Sequence, residues 1–120
     1  MPESRPVLTF DARLHQLEER HQALLAEIAD LGLCLRGTIG TYEQRCGKPA
    51  CHCHADPPRL HGPYSLWTRK VASKSVTVHL RPNQVAQLQA WNRNMHRLDR
   101  CVRELQALGY EAAQAFLDAS

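Results

Sequence analysis

Three cysteines fall within eight residues, at Cys46, Cys51 and Cys53, in a chain whose flanking segments carry apolar residues at helical spacing. Cys34 and Cys101 bring the total to five in 120 residues. An odd number does not fit a disulfide framework, and clustered cysteines outside oxidising compartments bind metal or do chemistry. Three exposed thiols so close together would be an oxidation liability. A catalytic thiolate needs an adjacent base and an orienting group. His52 or His61 offers a base, but no third member and no oxyanion hole is identifiable, so the chain is expected not to be an enzyme.

Zinc is the expected cofactor, because structural zinc takes four Cys or His ligands in a tetrahedron. Cys46 and Cys51 flank Gly47-Lys48-Pro49-Ala50, a turn that can aim both sulfurs inward, and Cys53 returns to the same side one residue later. His61 is the first choice for the fourth ligand, since Gly62-Pro63 redirects the chain there. His52 and His54, close in sequence, and His79 further on are the competitors. Cys34 and Cys101, at the edges of the helical seams, are expected to pack as small hydrophobes.

The seams set the organisation. Residues 1–10 read as a tail. Residues 11–36 read as a coiled-coil-like helix, with Thr9 and Asp11 as capping residues. Its seam is Leu14, Leu17, His21, Leu24, Ile28, Leu31 and Leu35, stepping alternately by three and four. Residues 81–120 repeat the pattern after Pro82, with Leu88, Trp91, Met95, Leu98, Val102 and Leu105, and Gly109 is expected to break this helix before a short further one. Between them, residues 37–80 alternate like strands around Thr38–Tyr42, Tyr64–Trp67 and Ser75–Leu80, with a turn at Lys70–Lys74. The expected fold is therefore α+β, with two long antiparallel helices flanking a small zinc-stapled antiparallel β-sheet. A two-helix hairpin buries little by itself, so a homodimer through the helices is expected.

Charge adds a partner. The net charge is only +3. Residues 1–36 carry four arginines against six acids, and residues 81–120 carry five against four. Residues 37–80 carry six basic residues against two acids. Local basic excess attracts phosphates, and aromatic rings stack on bases. Arg45, Lys48, Arg69, Lys70 and Lys74 are the expected nucleic-acid contacts, with Tyr42, Tyr64 and Trp67 among them, although Trp67 suits a core position better. DNA is favoured over RNA. The arginines at 93, 97, 100 and 103 form a second strip, which Asp99 and Glu104 dilute. No apolar run approaches the ~20 residues that span a bilayer, and the start shows no basic stretch leading into an apolar one. A cytoplasmic protein is expected.

The Cys46-Gly47-Lys48…Cys51-His52-Cys53 block, the His61-Gly62-Pro63-Tyr64 block, and Arg69-Lys70 followed by Lys74 resemble a family of small bacterial and archaeal proteins classed only as a domain of unknown function. The resemblance covers roughly residues 14–108. Ser73 stands where that family usually has Gly. Its members keep the genomic company of transposons, which implies an accessory or regulatory role in transposition or recombination. The other reading is a protein-interaction module whose helices bind a transposase or recombinase while the zinc knuckle is structural.

Overall fold

The computed structural model describes residues 9–120. Residues 1–8 of the expected tail lie outside the described residues, and the last two tail positions already belong to a helix start. The element order is α1 (Phe10–Ala29), β1 (Thr38–Gln44), a short 3-10 turn at His52–His54, β2 (His61–Val71), β3 (Lys74–Leu80) and α2 (Pro82–Ala119). No described helix is long and apolar enough to cross a membrane. The described residues divide into two compact units: one contains residues 9–32 with His96–Ser120, and the other Leu33–Met95.

In the helical unit, the Thr9 side chain accepts a hydrogen bond from the Ala12 N–H at 3.1 Å and satisfies one of the orphan donors of the first turn. α1 then buries Leu17 and Leu24, two helical turns apart, against Cys101 and Leu108, with Ile28, Leu105 and Ala112 packed around them. Burying a leucine contributes about 1.5–3 kcal/mol. Contacts between α1 and α2 run in opposite senses along the chain. Phe10 meets Phe116 edge-on at 6.0 Å. Arg20 pairs with Glu111 at 2.9 Å, and Glu27 takes Arg100 together with Arg97.

The buried row of α2 differs from the expected seam. It runs Cys101, Leu105, Leu108, Ala112 and Ala115, while Val102 is 42% exposed. Small residues supply three of these five positions, so the row is faint in an apolar pattern. Gly109 does not break the helix. A side chain there would meet nothing, so Gly109 lies off the packed face and costs only the ~1 kcal/mol of a helical glycine.

α1 also ends earlier than expected, at Ala29, with Asp30 capping through its N–H to the carbonyls of Ala26 and Glu27. Leu31 and Leu35 continue the period but not the helix, because other partners take the backbone groups beyond it. The Leu35 N–H donates to the Trp91 carbonyl at 3.0 Å. The Asn92 amide donates to the carbonyls of Leu35 and Gly37, and the Asn94 amide to that of Leu33. Cys34, expected in a core, is exposed on this irregular stretch.

The second unit holds a three-stranded antiparallel sheet in the order β1-β2-β3. Val71 pairs with Lys74 across a two-residue turn in which Ala72 and Ser73 both take positive φ, 50° and 67°. This is the primed geometry that matches strand twist and favours Asn-Gly. Ser73 therefore stands where glycine would be unstrained. Cross-strand partners share a face, so the register defines two faces. Tyr42, Tyr64, Leu66, Thr68, Lys70, Thr77 and His79 lie on one. Ile39, Trp67, Arg69, Val76, Val78 and Leu80 lie on the other.

Candidate metal centre

The β1–β2 ladder brings the cysteines to His61. Tyr42 pairs with Tyr64, then a register shift leads to a last pair, Gln44 with His61. An irregularity of this kind re-aims a strand end. Cys46 follows two residues after Gln44, so it emerges beside the strand that begins with His61. Gly62 adopts φ +114°, and a Cβ there would sit 2.9 Å from the Tyr42 carbonyl. Only glycine lets β2 approach β1 this closely directly after His61.

The knuckle closes through its own backbone. The Cys51 N–H bonds the Lys48 carbonyl at 3.1 Å, and the His54 N–H bonds that of Cys51 at 3.0 Å. The Arg59 N–H returns to the His52 carbonyl at 3.2 Å. Cys53 is fully buried, while Cys46, Cys51 and His61 are half-buried.

The donor atoms of Cys46, Cys51, Cys53 and His61 all lie within 4.8 Å of one another. The Sγ atoms of Cys46 and Cys53 are 3.6 Å apart. Cys51 Sγ is 3.1 Å from His61 Nε2. Zinc bonds of about 2.3 Å to sulfur and 2.0 Å to nitrogen place tetrahedral ligands about 3.5–3.8 Å apart. The four groups therefore need only small adjustments to hold one ion, and three thiolates with an imidazole suit zinc rather than calcium or magnesium.

Neighbouring groups prepare these ligands. The Cys46 N–H donates to Cys53 Sγ at 3.3 Å, a bond that favours thiolate. The Cys51 thiol is pulled down to about 6, first by a backbone hydrogen bond from Cys53 and further by the Cys46, Cys53 and His61 side chains, against the opposing effect of burial. Burial pushes the Cys53 thiol up.

The competing histidines have other partners. His54 Nε2 lies 2.7 Å from the Cys46 carbonyl and ties the two ends of the knuckle together. His52 stacks at a tilt on His61, ring centres 5.0 Å apart, with its Nδ1 3.7 Å from Cys51 Sγ. His79 lies edge-on to Tyr64. His54 bridging the knuckle was not foreseen, and only its position one residue after Cys53 hinted at it.

The five expected nucleic-acid contacts are dispersed. Arg45 and Lys48 are exposed on the knuckle at the start of β2, while Lys70 and Lys74 are exposed at its far end. The eleven residues of β2 span about 33 Å at the usual strand rise. Arg69 is half-buried, with its guanidinium 4.0 Å over the Trp67 ring. The Trp67 indole N–H donates to the Arg36 carbonyl at 3.1 Å. Trp67 and Arg69 therefore sit on the face opposite Tyr42, Tyr64 and Lys70, and Trp67 is no stacking surface beside them.

Fold and site together define a small α+β protein with a three-stranded antiparallel sheet and a Cys3His group able to hold zinc. Residues 14–90 match the family described as Domain of unknown function (DUF6788), and the chain belongs to that family. Searches of curated proteins and of solved structures returned no match.

Proposed function

We propose that this chain is a zinc-stapled, non-enzymatic nucleic-acid-binding protein that serves as an accessory or regulator of a mobile element. One observation carries the reading: the Cys3His group is built into a knuckle that presents Arg45 and Lys48. A site buried around Cys53 and closed by protein ligands is structural, since catalytic zinc keeps a position open for water. Zinc would hold the loop in shape, and the exposed cations would meet phosphates. The mobile-element role rests on the resemblance in the CGK, HGPY and RK blocks and on the transposon company of such proteins.

The test is affinity for labelled nucleic acid, single-stranded and duplex, as salt is raised. Binding at low salt that weakens linearly on a log–log plot supports the reading. No affinity at low salt would contradict it.

A second reading has its own support. Val102, Tyr110, Phe116 and Leu117 of α2 are all exposed, between 42% and 77%. Apolar groups of this size favour a protein partner, either a second copy of the chain or a transposase or recombinase. The native mass of the purified protein distinguishes a homodimer from a monomer awaiting another partner.

A further inference from the structure

The sheet face that bears Tyr42 and Tyr64 has no role in the metal centre. Tyr42 and Tyr64 are direct cross-strand partners, with ring centres 5.4 Å apart. His79 on β3 continues the row, 6.4 Å from Tyr64 and edge-on to it. Three flat rings thus cross the sheet from β1 to β3. Tyr64 and His79 are exposed, and Tyr42 is half-buried.

Apart from Leu66, the other side chains of this face are polar or cationic. Thr68 and Thr77 join hydroxyls across β2 and β3 at 3.2 Å, and the exposed Lys70 lies further along, its ammonium on Ser75. No acidic residue is among the paired positions of this face, and Glu43 lies in the β1 irregularity beside Tyr42. Beside the rings, a groove of about 540 Å³ opens among Pro63, Tyr64, His79 and Arg81. A core-facing surface would gather aliphatic side chains, and all but Leu66 lie on the opposite face, with Ile39, Val76 and Leu80.

We infer that this face is a stacking platform for single-stranded nucleic acid, with bases on Tyr64 and Tyr42 and the phosphate chain led by Lys70 at one end and Arg81 beside the rings. Rings on an open sheet accept any unpaired base, because every base has a π face. A duplex keeps its bases stacked on one another and cannot offer them. Charge complementarity points the same way, from the exposed Lys70 and Arg81. The inference deepens the nucleic-acid reading of the proposed function and rests on it.

The probes are fluorescein-labelled dT12, U12 and a 12-base-pair DNA duplex, titrated with zinc-loaded full-length protein at one low salt concentration. The platform predicts that dT12 or U12 binds at least about tenfold tighter than the duplex, and their ratio separates DNA from RNA as the source of the strand. Tyr64→Leu and Tyr42→Leu should each weaken strand binding by about fivefold or more, while Tyr64→Phe, which keeps the ring, should retain it. Zinc content equal to wild type shows that the leucine variants remain folded. Equal affinity for strand and duplex, or leucine variants that are zinc-loaded and bind dT12 and U12 as wild type does, would overturn the platform while leaving the nucleic-acid reading standing. Absence of binding to all three probes would overturn both.

Discussion

His61 Nε2 lies 3.1 Å from Cys51 Sγ although ten residues separate them. The proximity is a product of strand pairing. The Gln44–His61 pair ends the β1–β2 ladder where the cysteine loop begins. The metal site and the sheet therefore form together, and an ion held there would brace the end of the β1–β2 ladder.

Replacing Cys53 with serine should abolish stoichiometric zinc binding and lower cooperativity of unfolding for the β-sheet. Binding energy in such sites is folding energy. His61→Ala should cost at least tenfold in zinc affinity, whereas His79→Ala should leave it unchanged. A chromophoric chelator competition measures all three.

Zinc affinity should depend on pH in a particular way. Thiols release protons on binding. Cys51, with its thiol near 6, is already deprotonated at neutral pH and adds no pH dependence there. Cys53, pushed up by burial, still holds a proton that zinc must displace. Affinity is therefore expected to rise with pH through neutrality. As pH falls below about 6, Cys51 takes up its own proton and the slope of log affinity steepens by about one unit per pH unit. Competition titrations from pH 5 to pH 8 read the slope, and an affinity flat across that range contradicts the assignment.

The two cysteines outside the knuckle should differ in reactivity. Cys101 is fully buried, and its thiol is raised by burial and by Glu27. Cys34 is exposed. Iodoacetamide should modify Cys34 alone in the zinc-loaded native protein, add the three knuckle cysteines after chelation, and reach Cys101 only in denaturant. Mass spectrometry of the peptides reads the order.

Ser73 should be improvable. At φ 67° it holds a conformation that costs a non-glycine residue about 1–2 kcal/mol. Glycine removes that strain but loses more backbone entropy on folding, so Ser73→Gly should stabilise by roughly 0.5–1 kcal/mol. In the helical unit the direction reverses. Leu24→Ala, at a position 8% exposed, should destabilise by about 2–5 kcal/mol and leave zinc content intact. Urea melts measure both.

Much of this arrangement was legible in the residues, and the exceptions have local causes. Alternation in Ser75–Leu80 and the apolar period of α1 identified a strand and a helix. The period at Leu31 and Leu35 continued past the point where the helix stops, because Asn92 and Asn94 claim the backbone from sixty residues away. Val102 looked like a seam residue, and the buried row instead uses Cys101 with Ala112 and Ala115, whose small side chains leave a weak apolar signal. The three cysteines were readable as a set, whereas His61 was only the first of four candidate histidines, and the strand pairing is what brings it to them. The aromatic row was not readable. Trp67 already suited a core position better, and the register places it on the opposite face; nothing in the residues showed that the same register brings His79 to the tyrosines.

Zinc-edge X-ray absorption on protein purified without chelator, combined with zinc per chain, tests the central claim most directly. One zinc per chain with three sulfurs near 2.3 Å and one nitrogen near 2.0 Å is the predicted result. Absence of zinc, or a shell in which oxygen replaces one of these four ligands, would contradict the Cys3His centre.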